Sequence, residues 1–195
     1  MAQIIIIIIV LILIISILIH YESQYSDLTY VISTVDKKPY LVRNRVDKQE
    51  AADMLATIKQ NLTKIVNYLE ENNMSDPKVK RLVEKFKPEN ISESLANNNY
   101  TSYSVNKGEK IVFCIRAKDE NQTFETINTM MFVAIHELAH IMTLSIGHTE
   151  EFWDNMRYLL EKAIKISLYT KVDYKHQPQD YCGTKITDSP LEQGE

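Results

Sequence analysis

The chain is poor in the residues that build specialised scaffolds: among 195 residues there are 4 Gly, 5 Pro, 2 Cys and a single Trp. So little Gly and Pro excludes collagen-like repeats and low-complexity linkers. Two cysteines cannot frame a disulfide-dense fold. Cys114 stands in the apolar run Ile111-Val112-Phe113-Cys114-Ile115 and reads as a buried small hydrophobe, whereas Cys182 stands in a polar tail. The expectation is two free thiols and a reducing compartment, with a Cys114–Cys182 bridge as the alternative. Positive charge is lacking too. The formal net charge is -4, and the densest basic stretch, Lys78-Val79-Lys80-Arg81, falls on the wet face of a helical pattern. Direct binding of nucleic acid, which calls for a basic patch, is therefore not expected.

One long hydrophobic run is present. Residues 4–19 are aliphatic except for Ser16, giving about 24 Å of helix against a hydrocarbon core of roughly 30 Å. No Lys or Arg precedes the run and no small-residue cleavage site follows it, which favours a single-span anchor (residues 1–20) over a cleaved signal peptide. The side of the membrane stays open. The first basic residues after the run are Lys37 and Lys38, and five sequons (Asn61, Asn73, Asn90, Asn99, Asn121) permit glycosylation if the domain faces a lumen. Residues 21–195 suffice for one domain with a core that needs no disulfide.

Within that domain, residues 28–35 are β-branched and aromatic and predict a strand, ended by the turn Asp36-Lys37-Lys38-Pro39. Asp47 then predicts a helix start, with Glu50 as its capping-box partner. Met54, Leu55, Ile58, Leu62, Ile65, Val66 and Leu69 form one apolar face. Asp76-Pro77 opens a shorter helix with Val79, Leu82, Val83 and Phe86 inward, stopped by Pro88. Residues 100–105 and 110–116 predict a β-hairpin around Asn106-Lys107-Gly108-Glu109. Strands and helices so mixed imply an α+β domain in which a helix packs on a short mixed or antiparallel sheet.

The segment that carries chemistry is His136-Glu137-Leu138-Ala139-His140. Residues i and i+4 share a helix face, so two imidazoles one turn apart can close on one zinc ion. Glu137, beside the first of them, can act as general base toward the attacking water and later return the proton to the leaving amine. A third protein ligand is needed. His148 is the leading candidate, because Gly147 can turn the chain back and Thr149 can cap a new helix. Glu150, Glu151 and Asp154 are the acidic alternatives. Histidine-rich sites also take other divalent metals, so zinc rests on ligand type.

These residues, followed by Gly147-His148 and Phe152-Trp153, resemble the zincin-type peptidases of the WLM (Wss1-like) and SprT-like families over roughly residues 100–166. The resemblance implies a zincin-like domain with Zn2+ held by His136, His140 and His148, with Glu137 as base and with protein or peptide substrates. It also implies a strand before the active helix that pairs with extended substrate. Residues 110–116 are the candidate, with an interior strand as the alternative reading. By periodicity with Met156, Leu159, Leu160 and Ala163, the Phe152-Trp153 pair reads as core packing. The stretch from Tyr181 to Pro190 resembles predicted metallopeptidases of large DNA viruses. Members of the two families act on proteins crosslinked to DNA with the help of basic or partner-binding tails. This chain is acidic and has an apolar amino-terminal run, so a membrane-anchored peptidase is expected instead. The alternative is a catalytically silent zinc-binding membrane protein serving as an interaction module.

Overall fold

A computed structural model describes residues 2–25, 27–96, 100–119 and 121–192. Helix α1 (Ala2–Tyr25) contains the aliphatic run; its segment Gln3–Tyr21 is long and apolar enough to cross a membrane, and 0% of it is buried. Strands β1 (Leu28–Ile32) and β2 (Pro39–Arg43) then pair antiparallel around the expected turn. Pro39, read from sequence as part of that turn, is the first residue of β2, where its missing N–H costs least.

Helices α2 (Lys48–Asn73) and α3 (Pro77–Lys85) follow the predicted periodicity, with Leu55, Ile58, Leu62, Ile65 and Leu69 fully buried. Each such side chain contributes roughly 1.5–3 kcal/mol when removed from water. The Asp76 carboxylate caps α3 by accepting from the Lys78 amide at 3.0 Å. The cap expected at Asp47 is not made: its side chain bonds no helix amide and instead pairs with the Arg116 guanidinium. Burial explains the diversion. Arg116 has no exposed surface, so it requires carboxylate partners, and Glu93 supplies the second at 2.7 Å.

Glu93 belongs to β3 (Ile91–Glu93), which is followed by β4 (Tyr103–Val105) and β5 (Lys110–Phe113). The sheet runs β1-β2-β3-β5-β4 and is mixed: β3 lies parallel to β2 and β5, while the two outer pairs are antiparallel. The hairpin is shorter than expected, and it is β4, not residues 110–116, that stands at the edge. Its turn has positive φ at Asn106, Lys107 and Gly108. A Cβ on Gly108 would stand 2.9 Å from the Ile141 side chain and 3.0 Å from the Lys85 carbonyl, so only glycine lets the turn sit this close to the next helix.

That helix, α4 (Ile127–Met142), is buried over most of its surface and packs against α2, α3 and α5 (Glu150–Lys165). A final hairpin, β6 (Gln179–Tyr181) and β7 (Thr184–Ile186), pairs only within itself among the described residues. It is fastened by a Cys114–Cys182 disulfide with Cα atoms 6.1 Å apart, which corrects the expectation of two free thiols. The polar look of the tail around Cys182 misled, because Cys182 and Tyr181 are both buried. Of the sequon asparagines, Asn61 and Asn73 lie within α2, Asn90 and Asn121 are exposed, and Asn99 lies outside the described residues. The chain is thus an α+β protein, with five α-helices and a mixed sheet among the described residues.

Candidate metal centre and active site

Thr126 caps α4 by accepting from the Thr129 amide at 3.2 Å, and the helix then presents His136 and His140 one turn apart. Their Nε2 atoms are 3.2 Å from each other, and His148 Nε2 is 3.1 Å from that of His136. Four-coordinate zinc, with bonds of about 2.0–2.1 Å to nitrogen, sets its ligand nitrogens about 3.3 Å apart. The two spacings from His136 match such an ion, all three nitrogens lie within 4.8 Å of one another, and the donor type suits it. Burial, followed by His140 and His148, holds His136 down at about 3, and burial, followed by His148 and Lys107, holds His140 at about 4. Both rings are thereby neutral near pH 7 and offer lone pairs.

The acidic alternatives for the third position are not in this group, which among the described residues comprises the three histidines alone. Glu151 is committed elsewhere. Its carboxylate accepts from the Leu144 and Ser145 amides at 2.9 and 3.1 Å and from the Ser145 hydroxyl at 2.8 Å. Asp154 pairs with Arg157 at 3.0 Å. The chain reaches His148 because α4 ends at Met142, Gly147 takes φ 84° and Thr149 caps α5.

Glu137 is buried, and its Oε2 has no hydrogen-bond partner among the described residues. Burial pushes its carboxyl up to about 7, against the pull of the Ser104 hydroxyl and amide. With His136, His140 and His148 it lines a cleft of about 530 Å³ whose other side is β4. A buried carboxyl thus stands beside three clustered imidazoles, next to an edge strand whose Ser104 amide faces it.

Three contributors lay beyond the sequence reading. Phe152 is fully buried, as expected of core packing, but its ring centre also lies 4.4, 4.8 and 4.7 Å from those of His140, His136 and His148. The Phe152-Trp153 pattern was the available signal, since Trp153 lies against His148 at 5.5 Å. Lys107, at the hairpin turn, donates to the Thr143, Leu144 and Ser145 carbonyls at 2.8, 2.7 and 3.0 Å. No local pattern marks it. After α5, Tyr169 and Tyr174 pack on Phe132, and His176 pairs with Asp173 at the surface. Tyr181 lines a cavity shared with Glu137, and there its hydroxyl meets that of Ser102 at 2.5 Å.

Comparison with known proteins places the chain in a family. The model of the WLM domain matches residues 34–194. An uncharacterized protein of Acanthamoeba polyphaga mimivirus is 34% identical over 170 residues, covering 85% of this chain and 86% of that protein. A second relative, from Invertebrate iridescent virus 6, is 32% identical over 82 residues, or 42% of this chain and 44% of that one. The crystal structure of Wss1 from Saccharomyces cerevisiae is 23% identical with a TM-score of 0.49, covering 65% of this chain and 87% of that one. The chain belongs to the WLM domain family of metalloprotease-like proteins, in a form shared with large DNA viruses.

Proposed function

We propose that this chain is a membrane-anchored zinc-dependent peptidase, with residues 1–20 as the anchor and residues 21–195 as the catalytic domain. His136, His140 and His148 would hold the ion. When bound, it supplies the Lewis acidity that activates water and polarises the scissile carbonyl. The observation that carries the reading is the Glu137 carboxylate: buried, with one oxygen unpartnered, beside three converging imidazoles. A module that needed only the metal would have no use for so costly a group. Glu137 accepts a proton from the attacking water and returns it to the leaving amine. Strand β4 has one edge paired to β5, and its other edge offers backbone groups to an extended substrate laid along the cleft. The substrate is then a protein segment able to extend, near the bilayer that holds α1.

Hydrolysis of an unfolded protein by full-length chain in detergent, compared with Glu137→Gln, tests the reading. General-base catalysis is worth about 10²–10⁴ in rate, so the variant is expected to lose at least 100-fold. Equal rates would remove Glu137 from the chemistry.

A further inference from the structure

The pairing register of the sheet limits how far the cleft can stand from α1. The apolar segment of α1 ends at Tyr21, and the helix runs on to Tyr25, a rise of about 6 Å. Two peptide links, about 8 Å at full stretch, then join Tyr25 to Asp27. Asp27 is already fastened to the sheet. Its carbonyl accepts from the Asn44 amide at 2.8 Å, next to the Leu28–Arg43 pair with which β1 begins.

From there a single row of paired residues crosses the sheet from β1 to β4. Tyr30 of β1 faces Leu41 of β2, and Leu41 faces Ser92 of β3. Ser92 faces Val112 of β5, and Val112 faces Tyr103 of β4. Along β1, Asp27 to Tyr30 covers about 10 Å, and the steps between strands carry the row about 19 Å sideways. Tyr103 lines the cleft together with His136, Glu137, His140 and His148. Each link of this path is covalent or a strand pairing, so its length is a ceiling whichever way the domain leans. The cleft edge at Tyr103 therefore stands no more than about 45 Å from the end of the apolar segment.

We propose that the substrates are integral membrane proteins of the same bilayer, cut in extended segments within about 45 Å of its hydrocarbon edge, the reach of the path from Tyr21 to Tyr103. The proposal rests on the anchored-peptidase reading and names the substrate class for it. A fully extended segment covers about 3.3 Å per residue, so the bond cut falls within roughly fifteen residues of the substrate's own span. Confining both chains to one bilayer raises their effective concentration, but only for a site that the tether can reach.

The test reconstitutes the full-length, zinc-loaded chain in liposomes together with a single-span reporter. The reporter's cleavable segment, taken from an unfolded protein, follows a helical spacer continuous with its span. Spacers of about 10 and about 60 residues raise that segment roughly 15 and 90 Å. The wild type is expected to cut the short reporter about tenfold faster or more. A variant with the long spacer inserted after Tyr25 is expected to reverse the preference, with zinc content unchanged. Both chains are expected to cut the same segment at equal rates when it is supplied as a free peptide. Equal cleavage of the two reporters by the wild type, with the free peptide still cut, overturns the reach limit. So does a preference that the inserted spacer leaves unchanged. Failure to cut even the free peptide would sink the peptidase reading, and recovery of the chain in the aqueous fraction after liposome flotation would sink the anchor.

Discussion

The Lys107 ammonium lies 2.8 Å from the Thr143 carbonyl oxygen, joining the β4–β5 turn to the point where α4 ends. Two further carbonyls, of Leu144 and Ser145, complete the contact, and the cation suits the negative end of the helix. Between this lysine and Glu151, which takes the amides of the same two residues, the loop leading to His148 is gripped from both sides. Groups that orient ligands from behind are worth about 10–100-fold in metal affinity. Lys107→Met is expected to weaken zinc binding about tenfold, measured by competition with a chromogenic chelator. Lys107→Arg, which keeps the donors, is expected to recover most of it. Unchanged affinity in the methionine variant would mean that the loop is held by other contacts.

Glu151 makes the loop sensitive to acid. The Leu144 amide, then the Ser145 hydroxyl and amide, hold its carboxyl down at about 2 from an ordinary 4.5. A carboxyl lowered in the folded state stabilises it above 4.5 and loses that contribution as pH falls toward 2. In metal-free protein, the stability difference between wild type and Glu151→Gln, read by urea unfolding, should be flat near neutrality and close across that window. A difference independent of pH there would contradict the assignment.

The disulfide closes a loop spanning a sequence separation of 68, for which chain entropy suggests about 4 kcal/mol of stabilisation. Cys182→Ser should unfold at markedly lower urea, reduced wild type should match it, and thiol titration of denatured wild type should find no free thiol. Two titratable thiols in freshly isolated protein would restore the reducing-compartment expectation that the structure removes.

How legible each part was follows from what kind of interaction makes it. Helices α2 and α3 were readable because burial repeats every turn, as at Leu55, Ile58 and Leu62. Strand β3 was not, since its buried residues include Ser92 and Glu93, which hydrophobic patterning assigns to the surface. Glu93 is inside because Arg116, 23 residues later, and the Arg43 amide, 50 residues earlier, satisfy it. The same long-range pairing drew Asp47 away from its cap. At the site, His136 and His140 carry a spacing that any reader can see, and Gly147 marks the bend that leads to His148. Lys107 acts through backbone carbonyls 36 to 38 residues away and carries no local mark.

The central claim is a three-histidine zinc site, and the most direct measurement is the metal content of the full-length chain. Protein purified in detergent without chelator would be read by mass spectrometry beside His148→Ala. The account predicts close to one zinc per chain in the wild type and a sharp loss in the variant. A folded wild type that carries no zinc, or a variant that keeps all of it, would contradict the site as described.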